Sequence, residues 1–465
     1  MSISRPPGPP PRRGRPPARN EILRNGRLGG VDPGELADRF GTPCYVYDLD
    51  VVTRQVEALR AALPDRFDLA YAVKANPLLA LLRHLGGLGL GADVASGGEL
   101  QHAIRAGIPP GRIVFTGPGK RDAELAAAVE AGVRVVTVES RGELARLEAA
   151  ARVADRRQPI LLRLAVSEAA RLERVRLVGD DGAGKFGMDL SDLRAAAREA
   201  IRSPHLDLLG IHAFGASNLL DASALASHVE ATVATAADLA REAGFHLRLV
   251  DAGGGLGIPY EVQEDGLDLA GLRTRLTALA ESMAADPALA GVRVLLEPGR
   301  FLAGPAGAYV ARVTDRKTVA GSHVVILDGG IHHVLRPALV GQEHRVRVLT
   351  GRAAPGTEAS GPSGTGVAGS SRTGRAHLFP VTIAGPLCSG LDVLAQAAVM
   401  PLPDVGDLVA VLDVGAYGAT ESMPFFLSHP MPAEVVVRGG EVRVARPRIE
   451  PDTWLGWHVD EPSVE

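Results

Sequence analysis

The chain has 465 residues, 46% of them hydrophobic and 22% charged, and a formal net charge of −4. That length suits two domains with a sizeable core, and the charge excludes a general attraction to nucleic acid or anionic membrane. Two cysteines, Cys44 and Cys388, are too few for a disulfide framework and suggest a reducing, cytoplasmic compartment.

Residues 1–26 form a Pro- and Arg-rich stretch with no apolar centre, which reads as a disordered tail rather than a secretory signal. No run is long enough to span a membrane. Residues 27–48 read as an N-terminal segment joining a β domain; within them Leu36–Phe40 suits a short helix and Cys44–Tyr47 a strand. Apolar runs then recur at Leu69–Ala75, Ala92–Ala95, Ile113–Thr116, Val135–Val138, Leu161–Ala165, Leu209–Phe214, Leu249–Asp251 and Val294–Leu296. Helical segments such as Gly98–Ala106, Asp122–Ala131 and Arg141–Ala151 separate them. The alternation predicts an α/β fold, a (β/α)8 TIM-type barrel over 49–306, with a doubly wound open sheet as the alternative.

From about Ala308 strands follow without long helices, and Gly439-Gly440 between Glu434–Arg438 and Glu441–Val444 is a hairpin signature. Residues 307–460 therefore read as an all-β domain, with 351–373, rich in Gly, Ser, Thr and Ala, as a flexible insertion.

Only four of the 50 basic residues are lysines (Lys74, Lys120, Lys185 and Lys317). Lys74 ends the apolar run Leu69–Val73 and is followed by Asn76-Pro77. Burial there is expected to lower its pKa toward the neutral amine that attacks carbonyls; the alternative is a lysine snorkelling into solvent. In a barrel the strands' carboxyl ends form the site. Those ends gather Lys74, Asp93 with Ser96, Thr116-Gly117, Glu139, Arg163, Phe214 leading to Ser217, Gly253-Gly254-Gly255 and Glu297-Pro-Gly299-Arg300. Glycines and an arginine after strands seven and eight suit a phosphate. Glu297 is either an ion-pair partner of Arg300 or a carboxylate that keeps a pyridine nitrogen protonated. A Schiff-base lysine, a phosphate cradle and such a carboxylate together describe pyridoxal phosphate.

The ordered motifs Tyr71-Ala-Val-Lys-Ala-Asn76, Asp93-Val-Ala-Ser96, Lys185-Phe-Gly187, Asp251-Ala-Gly-Gly-Gly255, Glu297-Pro-Gly-Arg300, Gly385-Pro-Leu-Cys388 and Asp413-Val-Gly-Ala-Tyr417 resemble those of the ornithine/diaminopimelate decarboxylase family. These are alanine-racemase-like pyridoxal phosphate enzymes with a barrel and a β domain, and the likeness runs from about Gly41 to Arg446. It implies that Lys74 carries the cofactor and that Ser217, Gly255, Gly299, Arg300 and Tyr417 hold its phosphate. Glu297 meets the ring nitrogen, Arg163 reaches the phenolic oxygen, and Asp93, Phe214 and Gly254 complete the contacts. It also implies a homodimer with shared sites, where Cys388 and Asp392 enter from the partner chain and Cys388 protonates the carbanion.

The chain departs from that family at several positions. Phe214 replaces a histidine, Ser389 the acidic residue that meets a distal amine, and Val340 a tyrosine ending the motif that begins at Arg336. His332-His333 are unpersuasive as a metal pair, since strand neighbours face opposite ways, and no metal is expected. His333, Arg336, Ser389 and Asp392 are expected around a small-molecule or carrier-bound substrate. The departures point to decarboxylation of an amino acid joined to a carrier protein or a siderophore intermediate. Diaminopimelate decarboxylation, racemisation and a catalytically dead regulatory homologue are the alternatives.

Overall fold

The computed structural model describes residues 22–166, 184–215, 217–261, 264–349 and 377–458. The expected insertion at 351–373 and the first 21 residues of the expected tail lie outside them. The end of that tail is ordered: Leu23–Arg24 pairs with Arg27–Leu28 across the Asn25-Gly26 turn, where both turn residues have positive φ.

Eight parallel strands close a barrel: Phe67–Ala72, Gly91–Val94, Ile113–Phe115, Val135–Val138, Gln158–Leu164, Leu206–Ala213, Leu249–Asp251 and Arg293–Leu296. They are called here the first to eighth barrel strands. Helices cover them, so most strand residues are buried on both faces and the open-sheet alternative is not what forms. Helix starts are capped where the chain leaves the rim. Ser96 accepts a hydrogen bond from Glu99 N–H, and Ser140 one from Glu143 N–H. Ser96, read from sequence as part of the polar rim, is thus a cap.

Side chains on a strand alternate, and inside the barrel this produces two layers. Ala70, Val114, Val135, Leu161, Leu249 and Leu295 form a separate apolar cluster within the barrel. Two residues further along the same strands stand Ala72, Thr116, Thr137, Arg163, Asp251 and Glu297. Asp93 joins this polar layer by its register opposite Ala72, and His212 by its register opposite Arg163 and Asp251. The apolar plug below and the polar floor above are one pattern with a two-residue step.

The second unit is a nine-stranded sheet. Its main path runs Val393–Pro401, Leu378–Ala384, Ser322–Leu327, Gly307–Val319, Cys44–Asp48, Ala433–Arg438, Glu441–Arg446. Leu408–Leu412 pairs with Gly307–Val319 and with Val346–Leu349. The strand Val393–Pro401 is absent from the sequence reading, because its alanines and glutamine carry little β signal. The hairpin at Gly439-Gly440 forms as read, with Arg438 opposite Glu441.

The two units meet at Gly415. A Cβ on this residue would lie 1.8 Å from Ala303 O, so backbone passes backbone there. Two residues on, Tyr417 has φ 59° and its N–H donates to Ala75 O at 2.8 Å, next to Lys74. Gly415→Ala should therefore lower stability by about 1–3 kcal/mol, as overpacking does, and weaken cofactor retention. Thermal unfolding and cofactor dialysis of the variant would measure both.

Candidate active site

Lys74 does not end the first barrel strand, which stops at Ala72. It sits on the 3-10 turn Val73–Ala75, whose backbone steps aside before Asn76-Pro77. That turn sets its amine in a cavity of about 280 Å³, and 44% of the side chain is open to it. The cavity is lined by Arg163, Phe214, Ser217, Glu297, Arg300 and Tyr417 among others. The amine lies 3.6 Å from Asp93 Oδ2 and 5.8 Å from the centre of the Phe214 ring.

The expected lowering of the Lys74 pKa is reversed. Burial, the largest influence, does pull it down, but Asp93, Tyr417 and Glu297 together outweigh burial and raise it. Asp93 is pushed up to about 7 by burial and then by the Glu297 charge, against Lys74 and the Thr116 hydroxyl that donates to Oδ1. Lys74 and Asp93 thus stand as an ion pair at 3.6 Å, with the lysine side chain still 44% exposed.

At the floor, Glu297 pairs with His212 and not with Arg300: His212 Nε2 stands 3.5 Å from Glu297 Oε2. Burial alone would raise the Glu297 carboxyl, yet His212, Lys74 and a hydrogen bond with Asp251 bring it down to about 2. Its Oε1 has no partner among the described residues. A buried, ionised oxygen is costly unless a cationic or hydrogen-bonding group meets it, and Glu297 lines the cavity. Arg163 is held by Glu139, which also accepts Gly187 N–H at 2.8 Å.

The glycine turns beside Glu297 suit an anion. A Cβ on Gly254 would meet Glu297 O at 2.5 Å, so only glycine permits the chain to pass here. The N–H groups of Gly254, Gly255 and Gly299 donate to no partner among the described residues. Arg300 donates to the Tyr260 hydroxyl at 2.7 Å and stacks 4.6 Å from the Tyr417 ring centre. Free amides, a guanidinium, Ser217 and Tyr417 on one side and an ionised carboxylate on the other match the two ends of pyridoxal phosphate.

The four residues expected around the substrate are not in the described lining of their own chain's cavity. His333 is buried with Nδ1 2.9 Å from the Tyr309 hydroxyl and Nε2 3.1 Å from Pro430 O. Burial and His332 lower its pKa to about 2, and it is absent from the described lining of this chain's cavity. Arg336 is 1% exposed and bonds Glu421 and Gln342, behind the cavity. Asp392 is buried, and its two oxygens accept Ile331 N–H and Leu387 N–H, each at 2.8 Å, so it shapes the loop that follows Gly385. Ser389 Oγ accepts Leu391 N–H in that same loop. Cys388 is exposed and not a small core residue, and it is absent from the described lining of this chain's cavity. Tyr260, Phe186 and Glu421 were not legible from sequence, since each stands outside any strand end. A larger hollow of about 750 Å³ is lined by Tyr260 with Arg345, Arg347 and Met400, and shares no lining residue with the cavity at Lys74.

A parallel barrel with a lysine, a phosphate cradle and an acid at the ring-nitrogen end defines a pyridoxal phosphate enzyme. Residues 49–304 match the model of the pyridoxal-dependent decarboxylase pyridoxal-binding domain. The chain is 33% identical over 444 residues to diaminopimelate decarboxylase of Aquifex aeolicus, covering 95% of this chain and 97% of that protein. It is 32% identical over 412 residues to the L-glutamyl-[BtrI acyl-carrier protein] decarboxylase of Niallia circulans, covering 88% and 92%. The crystal structure of diaminopimelate decarboxylase from M. jannaschii in co-complex with L-lysine superposes with a TM-score of 0.82 at 26% identity, covering 95% and 99%. The chain belongs to the pyridoxal-dependent decarboxylase family and is a pyridoxal-phosphate-dependent amino-acid decarboxylase.

Two outcomes are expected. Borohydride treatment of the holoenzyme should fix the cofactor on Lys74, as peptide mapping would read; an adduct on Lys185 would contradict the site. Glu297→Gln should reduce turnover by about a hundredfold while changing cofactor affinity much less, because the interaction strengthens as charge moves onto the ring. Steady-state kinetics with cofactor titration separate the two effects.

Proposed function

We propose that this decarboxylase acts on an amino acid whose far end is conjugated, through a thioester to a carrier protein or to a larger acid in siderophore assembly. One observation carries the reading: the carboxylates around the cavity are engaged. Glu297 faces His212, Asp93 faces Lys74, and Glu421 bonds Arg336. A free distal ammonium needs a carboxylate of its own, since an unpaired buried charge costs several kcal/mol. Ser389 stands where the family resemblance places that carboxylate, and a hydroxyl does not balance a charge. Phe214 in the cavity lining makes the surroundings more apolar. The Niallia circulans relative, whose name describes a carrier-bound glutamyl substrate, supports the reading. The name of the Aquifex aeolicus relative supports diaminopimelate as the second candidate.

In this reading Lys74 Nζ holds the cofactor and Asp93 keeps a proton beside it. Ser217, the amides of Gly254, Gly255 and Gly299, Arg300 and Tyr417 orient the phosphate, and Phe214 faces the ring. Glu297 would keep a proton on the ring nitrogen, and Arg163 would meet the phenolic oxygen. When bound, pyridoxal phosphate supplies the sink for the electron pair left by departing carbon dioxide. Cys388 Sγ then returns a proton to the α-carbon. Because Cys388 is exposed and outside its own chain's cavity lining, the partner of a homodimer delivers it, with Ser389 beside it.

Initial rates of carbon dioxide release test the substrate class. A distally acylated or thioester-linked amino acid should exceed free ornithine, lysine and meso-diaminopimelate by at least about tenfold in kcat/KM. A preference for free diaminopimelate would replace the conjugate reading with the second candidate. Mixing Lys74→Ala and Cys388→Ala subunits should restore activity through heterodimers with one intact site. No recovery, with subunit exchange confirmed, would refute the shared site.

A further inference from the structure

The cavity floor holds more acid than one ring nitrogen needs. Asp251 of the seventh barrel strand, Glu297 after the eighth and His212 of the sixth bring side-chain atoms within 4.8 Å of one another, and all three are buried. Asp251 Oδ1 accepts Gly253 N–H at 2.9 Å, which fixes the carboxyl plane. Its Oδ2 has no hydrogen-bond partner among the described residues, and the Asp251 and Glu297 carboxyl groups lie within 4.8 Å of each other in the buried floor. Two carboxyl oxygens at that range repel unless a proton lies between them. The nearby charged groups do not supply an alternative. Lys74 faces Asp93, Arg163 is held by Glu139, and burial lowers the pKa of His212 despite the nearby Glu297. Burial and then the Glu297 charge raise Asp251 well above the usual carboxylate range, in agreement with the geometry.

We infer that Asp251 is a positioning residue that carries a proton and donates it in a hydrogen bond to Glu297. Glu297 alone then holds negative charge, in a fixed orientation, and would be the group that meets the ring nitrogen of the cofactor. The inference rests on the reading in which Glu297 meets that nitrogen. It adds a second group to the electron sink: without the donated bond, Glu297 loses both its orientation and part of what keeps it ionised. The ring nitrogen would then release its proton more readily.

The test compares Asp251→Asn with Asp251→Ala in the holoenzyme. Asparagine keeps the shape, accepts Gly253 N–H through its oxygen and donates through its amide, so it mimics the protonated acid. Asp251→Asn should keep the wild-type pH dependence of the cofactor's visible band and a kcat within about threefold of wild type. Asp251→Ala should shift that pH dependence and lower kcat by at least about tenfold. If asparagine is as damaging as alanine, or if alanine leaves the band's pH dependence unmoved, the inference is overturned. Should Asp251→Ala fail to fold, the infrared difference between wild-type apoenzyme and Asp251→Asn at neutral pH decides. A protonated-carboxyl stretch lost in the variant supports the inference, and loss of ionised-carboxylate bands overturns it. Glu297→Gln separates the two readings: if Glu297 does not meet the ring nitrogen, its variant leaves the visible band unmoved while the infrared signature of Asp251 persists.

Discussion

Buried charge on a parallel barrel has to be balanced side chain by side chain, because each uncompensated ion costs several kcal/mol. The polar floor of this barrel meets that condition with short, local pairings. Asp93 takes Thr116 and Lys74, Arg163 takes Glu139, and Glu139 also takes the Gly187 amide. The apolar layer one step below keeps water out and holds each strand end in place. What is left over, one oxygen of Glu297 and a set of glycine amides, is where a cofactor with a cationic ring end and an anionic tail fits.

The β domain is part of that balance. Arg300 would be a lone guanidinium at the rim without Tyr260 and Tyr417, whose ring centres lie 5.7 and 4.6 Å from it. Tyr417 arrives from the β domain, and its backbone is tied to Ala75 one residue past Lys74. The lysine turn and the phosphate wall are therefore positioned from both units. The close pass at Gly415 leaves little freedom for one to shift against the other.

Much of this was legible in the sequence. The eight barrel strands fall where short apolar runs fall, because strands buried on both faces need no alternation to be seen. The cofactor motifs were legible because backbone demands, such as the glycine at 254, permit few residues. Three things were not. The sign of the Lys74 shift depends on Asp93, which arrives from another strand. The places of His333, Arg336 and Asp392 depend on loops that fold back on their own chain. Val393–Pro401 has a composition that could belong to a helix, and only its pairing with Leu378–Ala384 makes it a strand.

The strand Cys44–Asp48 lies between Gly307–Val319 and Ala433–Arg438, and every one of its residues is buried. The chain's early strand thus waits for both neighbours to be synthesised, on the order of tens of seconds at about 5–20 residues per second. During translation the barrel has all eight strands in hand while this apolar segment has no ladder to join. A nascent chain cut short before Ala433 carries a closed barrel and a half-made sheet, whose open edge is a template for pairing with a neighbouring polypeptide.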